Sequence, residues 1–148
     1  MTIEQLLSET TLVNTPKQHF KNFNEARKWA KVNIVGIYKN LHTNKNIYIS
    51  RTAIDKYLSN KAVSKSMSID AHLSALIILP KLIEVAVLKE IHLDEREIPD
   101  IVEIQRFYGA INHNNLIYPV KITVKAYTEQ INKAYSYEVM KIESPIIH

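Results

Sequence analysis

The sequence has no cysteine and only two glycines among its 148 residues. Without cysteine the chain forms no disulfide, binds no zinc through thiolates and carries out no thiol chemistry. Gly36 and Gly109 stand far apart, so no glycine-rich loop is present to hold the phosphates of a nucleotide. These absences exclude the dinucleotide-binding and P-loop classes of enzyme.

Long apolar runs are also missing. No stretch approaches the length of about 20 apolar residues that a membrane-spanning helix needs. The first sixteen residues, MTIEQLLSETTLVNTP, lack the basic start and the apolar core of a signal peptide. We therefore expect a soluble cytoplasmic protein that has no membrane partner.

The composition is that of one folded domain. Apolar residues make up 46% of the chain, charged residues 23%, and the net charge is +4. This content is sufficient for a hydrophobic core, and the mildly basic balance is compatible with an anionic partner. The six histidines are scattered with no pair at a metal-ligand spacing, so we expect neither a metal nor another cofactor.

The pattern of apolar residues predicts an α+β fold. Residues 1–19 are a short lead-in, and residues 20–148 form a single domain. We expect N-terminal helices around a small hairpin and central helices packed on one face of a C-terminal antiparallel β-meander. The predicted segments are a helix at 25–33 capped by Asn22 or Asn24, a hairpin at 34–50, a helix at 53–60 capped by Ser50 or Thr52, a polar loop at 60–68, helices at 69–79 (capped by Ser68) and 80–91, a charged connection at 92–100, and strands at 101–111, 116–127 and 135–143.

The segment RFYGAINHNNLIYPVKITVK, residues 106–125, reads as a hairpin with a polar face. Residues Leu116, Tyr118, Val120, Ile122 and Val124 form the expected core side of its second strand. A loop of two or four residues places even-numbered positions opposite odd-numbered ones. Phe107 then meets Val120 or Ile122 in the core, while Arg106 and Tyr108 lie beside Lys121 and Thr123 on the other face. Clustered cations indicate a phosphate site, although a simple solvated face has the same pattern.

Two histidines are candidates for proton transfer. His72 falls in the first turn of a predicted helix, where the helix dipole lowers its pKa and favours the neutral base. His92 ends the next predicted helix, where a protonated ring is favoured and an acid role is available. The alternatives are a core-edge histidine bonded to backbone for His72 and a helix C-terminal cap for His92.

The chain resembles the large polyvalent-protein-associated domains of phages and mobile elements, and the nuclease domains related to the barnase, EndoU, colicin and RelE group. The resemblance spans residues 20–143 and is most specific at 72–80 (HLSALIILP) and at the RFY of 106–108. It implies a metal-independent ribonuclease of the toxin or effector type that cuts RNA by attack of the 2′-hydroxyl. Gln105 departs from the pattern, since relatives often have histidine before RFY.

The ribonuclease hypothesis gives each candidate residue a role. The candidate catalytic residues are His72 as the base, His92 as the acid with Tyr108 as the second choice, Arg106 and Lys121 as phosphate-binding cations, and Thr123 as a hydrogen-bond donor. The candidate substrate-binding residues are Tyr108, Lys125, Tyr127 and Tyr137, the last two with rings for stacking a base. The expected partners are RNA and a cognate inhibitor protein. The alternative is a non-catalytic accessory domain of a mobile element that binds nucleic acid or protein.

Overall fold

The computed structural model describes residues 3–93, 101–129 and 132–146. Within these ranges the chain forms six helices and seven strands, so the predicted α+β class is confirmed. The helices are α1 (Ile3–Glu9), α2 (Phe23–Asn33), α3 (Arg51–Tyr57), α4 (Asn60–Ser64), α5 (Ile69–Ile77) and α6 (Leu79–Val85). The strands are β1 (Leu12–Asn14), β2 (Gly36–Asn40), β3 (Lys45–Ile49), β4 (Val87–Leu93), β5 (Ile101–His113), β6 (Leu116–Glu129) and β7 (Asn132–Ile142).

Three predicted helix starts are confirmed by their caps. The side chains of Asn22, Ser50 and Ser68 each accept a hydrogen bond from the backbone N–H three residues later, at 2.8, 3.1 and 3.1 Å. Each bond satisfies one of the N–H groups that a helix leaves unpaired at its start. None of the helices in the described ranges is long and apolar enough to cross a membrane.

The segment 60–68 is not wholly the polar loop predicted for it. Ser59 accepts a hydrogen bond from the N–H of Ala62 at 3.3 Å and starts the short helix α4. Val63 is the buried residue of this helix. The prediction of a loop was wrong at 60–64. One buried side chain and one serine cap are enough to stabilise a five-residue helix, although the sequence there has no periodic pattern of apolar residues.

The helix predicted at 80–91 ends early, and its second half is strand β4. The buried side chain of Asn40 donates hydrogen bonds to the carbonyls of Ile83 and Ala86, both at 2.8 Å. A longer helix would need the first of these carbonyls for its own backbone bonds. Residues beyond Ala86 instead pair with β5. His92 therefore lies on a strand, and the prediction that it ends a helix is wrong.

The sheet is mixed, whereas the prediction was antiparallel. Its order is β1-β5-β6-β7-β3-β2, and β4 also pairs with β5. Strands β5, β6 and β7 form the predicted meander of antiparallel neighbours. Strand β1 pairs parallel to β5, and β3 pairs parallel to β7. The charged connection predicted at 92–100 is wrong at its first two residues, which belong to β4. Its remaining residues, 94–100, lie outside the described residues, as do residues 130–131 between β6 and β7.

The register of the β5–β6 hairpin is the predicted one. A two-residue loop joins the strands, and Asn114 and Asn115 have φ of 50° and 65°, as a tight hairpin turn of this length requires. Phe107 lies opposite Ile122 in the core, and both are 1% exposed. Leu116, predicted to face the core, is 43% exposed because it borders the turn; the other four residues predicted for that face are buried.

Candidate functional site

A cavity of about 330 Å³ lies between the α3–α4 segment and strands β5, β6 and β7. We call it the basic cavity, since six cationic side chains line it and none of the described lining residues is Asp or Glu. The cations are Lys56, Lys61, Lys65, Arg106, Lys121 and Lys141. Thr123 and His72 also line it, so four of the five predicted catalytic residues border one space.

Two parts of the fold bring these cations together. Lys61 lies on α4, and Lys65 is the residue that caps its C-terminus. Lys121 comes from β6 and lies directly opposite Lys141 of β7. Sequence reasoning missed four of the six cations, because a position on a helix surface, a lysine-rich loop and one alternate position on a strand are ordinary surface features until the tertiary fold makes them neighbours. The four are Lys56, Lys61, Lys65 and Lys141.

Half of these cations have no carboxylate partner among the residues that the structure describes. Three contact carboxylates outside the lining: Lys56 contacts Glu138, Arg106 Nε lies 3.7 Å from Glu90 Oε2, and Lys141 Nζ lies 3.7 Å from Glu143 Oε2. Lys61, Lys65 and Lys121 form no ion pair with any residue that the structure describes. Like charges gathered in this way repel one another, and an anion in the cavity relieves the repulsion.

His72 borders the cavity, but its ring is almost wholly buried. Burial lowers its pKa, and a hydrogen bond from its Nε2–H to the carbonyl of Tyr57 at 2.7 Å opposes that shift. The ring stacks on Tyr57 with centroids 3.8 Å apart and is only 1% exposed. Its Nδ1 has no hydrogen-bond partner among the described residues. A base must contact the hydroxyl that it deprotonates, and this ring offers almost no surface for that contact.

A second constellation, the Glu90 cluster, adjoins the basic cavity on the polar face of the sheet. It consists of Glu90, His92, Arg106 and Tyr108. The Oε1 atom of Glu90 accepts a hydrogen bond from the Tyr108 hydroxyl at 2.9 Å. Its Oε2 atom lies 3.1 Å from His92 Nε2 and 3.7 Å from Arg106 Nε. Three sequence-predicted residues thus converge on a carboxylate that the sequence analysis missed.

The charges of the Glu90 cluster shift its pKa values. Hydrogen bonds from His92 and Tyr108 lower the pKa of Glu90, and the charge of Arg106 adds to the effect. Burial and the bond to Glu90 raise the pKa of Tyr108. The carboxylate is consequently ionised, and the phenol keeps its proton and donates it to the hydrogen bond.

A β-bulge in β4 aims Glu90 at this site. Leu88 lies opposite Phe107, but the next pair is Glu90 opposite Arg106, so Lys89 is an extra residue without a partner on β5. Without the bulge, Lys89 would lie opposite Arg106. Bulges of this kind redirect side chains and are common beside active sites.

The remaining predicted residues lie outside both groups. Lys125 Nζ lies 3.1 Å from Glu138 Oε1, and its side chain is 16% exposed, so an internal carboxylate holds it. Tyr137 is 1% exposed and belongs to the core, which leaves no ring face for stacking a base. Tyr127 is half-buried and does not line the cavity, and burial raises its pKa.

The family model for large polyvalent protein-associated domain 3 matches residues 14–135. The chain belongs to this family. The matched range includes α4, β4 and the β5–β6 hairpin. It therefore contains the whole Glu90 cluster and five of the six cations of the basic cavity. It confirms the resemblance to the polyvalent-protein-associated domains, whereas the relationship to the nuclease group stays a prediction. Neither the curated proteins nor the solved structures contain a match to this LPD3 domain.

The described part of the LPD3 domain contains no group of three or more His, Asp or Glu side chains arranged to hold a metal ion. Its polar chemistry lies in the cations of the basic cavity and in the Glu90 cluster. Arg106 belongs to both, because it lines the cavity and lies opposite Glu90. Arg106 therefore connects the two groups of residues.

Proposed function

We propose that this LPD3 domain binds the sugar–phosphate backbone of single-stranded RNA in the basic cavity, as an accessory domain of a phage or mobile element. The observation that carries the proposal is the set of six lining cations, three of which have no carboxylate partner among the described residues. Cations in such an arrangement neutralise phosphates and release counterions, which supplies most of the affinity for a nucleic acid chain.

The size of the cavity favours an unpaired strand. About 330 Å³ is close to the lower limit of the volume range for small-ligand pockets, so it admits one nucleotide of a strand and excludes a duplex. Proteins that recognise RNA mostly bind single-stranded loops and ends, whose phosphates and bases are accessible. Arg106 suits a bidentate contact with a phosphate, and Lys121 adds a point charge beside it.

The proposal is tested by the salt dependence of RNA binding. A fluorescein-labelled single-stranded RNA is titrated with the protein at several salt concentrations, and fluorescence anisotropy is measured. Each lost phosphate contact lowers the slope of log K against log salt by about 0.7 for a single strand. The variant with Lys61→Ala, Lys65→Ala and Lys121→Ala should therefore lose about 2 from the slope.

The matched control removes three other lysines: Lys17→Ala, Lys28→Ala and Lys39→Ala. These three are exposed, do not line the basic cavity and form no ion pair in the described parts of the chain. The control should keep most of the binding and its slope. An equal loss in both triple variants would show a diffuse charge effect and overturn the proposal, as would the absence of RNA binding by the unmodified protein. Stronger binding to DNA of the same sequence would replace RNA with DNA as the ligand.

A metal-independent ribonuclease is the second candidate, and the Glu90 cluster is the observation that favours it. An imidazole and a guanidinium each lie within 4 Å of one carboxylate beside the proposed RNA site. Under this second proposal the domain acts in the cytoplasm as a toxin or effector and has a cognate inhibitor protein. It is then related to the nuclease group. Incubation with labelled RNA in EDTA tests it, since cleavage by this route needs no metal.

A further inference from the structure

Cleavage of RNA without a metal needs a base that reaches the 2′-hydroxyl and an acid that reaches the leaving 5′-oxygen. His72 is too deeply buried to reach a hydroxyl in the cavity. Glu90 has a side chain that is 42% exposed, and it lies beside Arg106, the residue best suited to hold the phosphate. His92 has a side chain that is 54% exposed and contacts the same carboxylate.

We propose that Glu90 is the general base and His92 the general acid of a ribonuclease centre that cleaves single-stranded RNA beside Arg106. This inference rests on RNA binding in the basic cavity. It assigns the base to a residue that the sequence did not indicate, and it moves the reaction from the buried ring of His72 to the exposed face of β4 and β5.

The spacing along β4 suits the reaction. Glu90 and His92 are two positions apart on one strand, so they share a face at a Cα separation of about 6.6 Å. In the free protein the carboxylate and the imidazole contact each other at 3.1 Å, so a bound phosphate takes the place of this hydrogen bond, with one group on each side of the phosphorus. The extra residue at Lys89 puts Glu90 opposite Arg106 and places His92 on the same face of the strand.

The proton and electron movements balance without a further reactant. Glu90 takes the proton of the 2′-hydroxyl as the 2′-oxygen bonds to phosphorus. The bond from phosphorus to the 5′-oxygen breaks, and that oxygen keeps the electron pair and takes a proton from protonated His92. Arg106 and Lys121 hold the charge on the phosphorane oxygens. The products are a strand that ends in a 2′,3′-cyclic phosphate and a strand that begins with a 5′-hydroxyl.

The direct contact between Glu90 and His92 restores their starting protonation states after each reaction. After product release, Glu90 carries a proton and His92 lacks one. An imidazole is a stronger base than a carboxylate, so the proton passes across their 3.1 Å hydrogen bond. Tyr108 is a positioning residue, since its hydroxyl bonds Oε1 of Glu90 and leaves Oε2 to face His92 and Arg106.

The first experiment follows cleavage of labelled single-stranded RNA in EDTA and identifies the cyclic phosphate on the products. Glu90→Gln should lower the rate by about 10²- to 10⁴-fold, the usual contribution of general acid–base catalysis. RNA binding should be no weaker, because the change removes a negative charge beside the cations. The matched control is Glu84→Gln, whose side chain is 41% exposed and contacts one lysine, and its rate should not change.

A second substrate separates the acid from the base. A uridine 3′-aryl phosphate has a leaving group that departs without a proton. His92→Ala should therefore cleave RNA slowly but retain most of its activity on the aryl ester, while Glu90→Gln should lose activity on both. A structural role for either residue would reduce both activities together with the melting temperature, which circular dichroism measures for every variant.

The outcomes separate the two proposals. RNA binding without cleavage by the unmodified protein overturns this inference and leaves the proposed RNA-binding function intact. A protein that neither binds nor cleaves RNA overturns both. Cleavage that persists in Glu90→Gln but disappears in His72→Gln, with binding retained, returns the base role to His72 and refutes the assignment.

Discussion

Replacing Lys121 with glutamine should stabilise the free protein and weaken its binding to RNA. Lys121 lies directly opposite Lys141 and forms no ion pair within the described structure. Like charges directly opposite each other across two strands oppose folding by roughly 0.2–1 kcal/mol. Lys121→Gln should therefore raise the free energy of unfolding by about 0.5 kcal/mol at low salt.

The control is the same substitution four residues along the same strand. Lys125 lies opposite Ser136, and its Nζ is 3.1 Å from Glu138 Oε1. Lys125→Gln removes an attractive contact, so it should lower the free energy of unfolding by about 0.5–1 kcal/mol, the upper part of the range for ion pairs near a surface. The two variants differ in the sign of the effect although the chemical change is identical.

Equilibrium unfolding in urea, followed by circular dichroism, measures both effects. The comparison is made in about 0.01 M and about 1 M salt, where the Debye lengths are about 30 Å and about 3 Å. The gain from Lys121→Gln should disappear at high salt. If Lys121→Gln destabilises the protein at low salt as Lys125→Gln does, the cations of the basic cavity are not an uncompensated cluster. The reasoning that an anion belongs there then fails.

Two further predictions concern the framework of the site. Asn40→Ala removes four hydrogen bonds of a fully buried side chain, so it should lower the free energy of unfolding, measured by urea titration, by about 4 kcal/mol. The control is Asn46→Ala at an exposed position, which should change the free energy of unfolding by less than about 0.5 kcal/mol. Hydrogen bonds from Gln18 and His113 lower the pKa of Asp70 below its ordinary value of 3.8, although burial opposes them. The folded pKa lies below the unfolded one, so this stabilisation is present above pH 3.8 and is lost as the pH falls through the folded pKa. Thermal melting should then show that Asp70→Asn destabilises the protein at pH 7 and that the difference shrinks towards pH 3.

Short-range physics explains what was predicted well. Asn22, Ser50 and Ser68 start helices because their side chains bond the backbone three residues later, and no distant residue takes part. The register of the β5–β6 hairpin is also set by residues that are close in the sequence. Asn114 and Asn115 accept positive φ in a two-residue turn, and that turn length alone puts Arg106 on the polar face.

The boundary between α6 and β4 depended on distant residues. An apolar run such as 79–91 is compatible with a helix or with a buried strand. Asn40 decided between them by bonding the carbonyls of Ile83 and Ala86, and β5 supplied the partner strand. Since Glu90 and His92 lie on β4, the cluster that they form was not predictable while the segment was read as a helix.

The order of residues alone determined which hydrogen bonds are formed within a few positions. It therefore determined three of the six helix starts, the hairpin register and the predicted cations of β5 and β6. Only the tertiary structure brought Lys61 and Lys65 next to Lys121, and only a bulge at Lys89 turned Glu90 towards Arg106. The physical reason is range. Caps and turns depend on residues that are neighbours in the chain. The charge of a cavity and the direction in which a strand's side chains point depend on residues that are far apart in sequence.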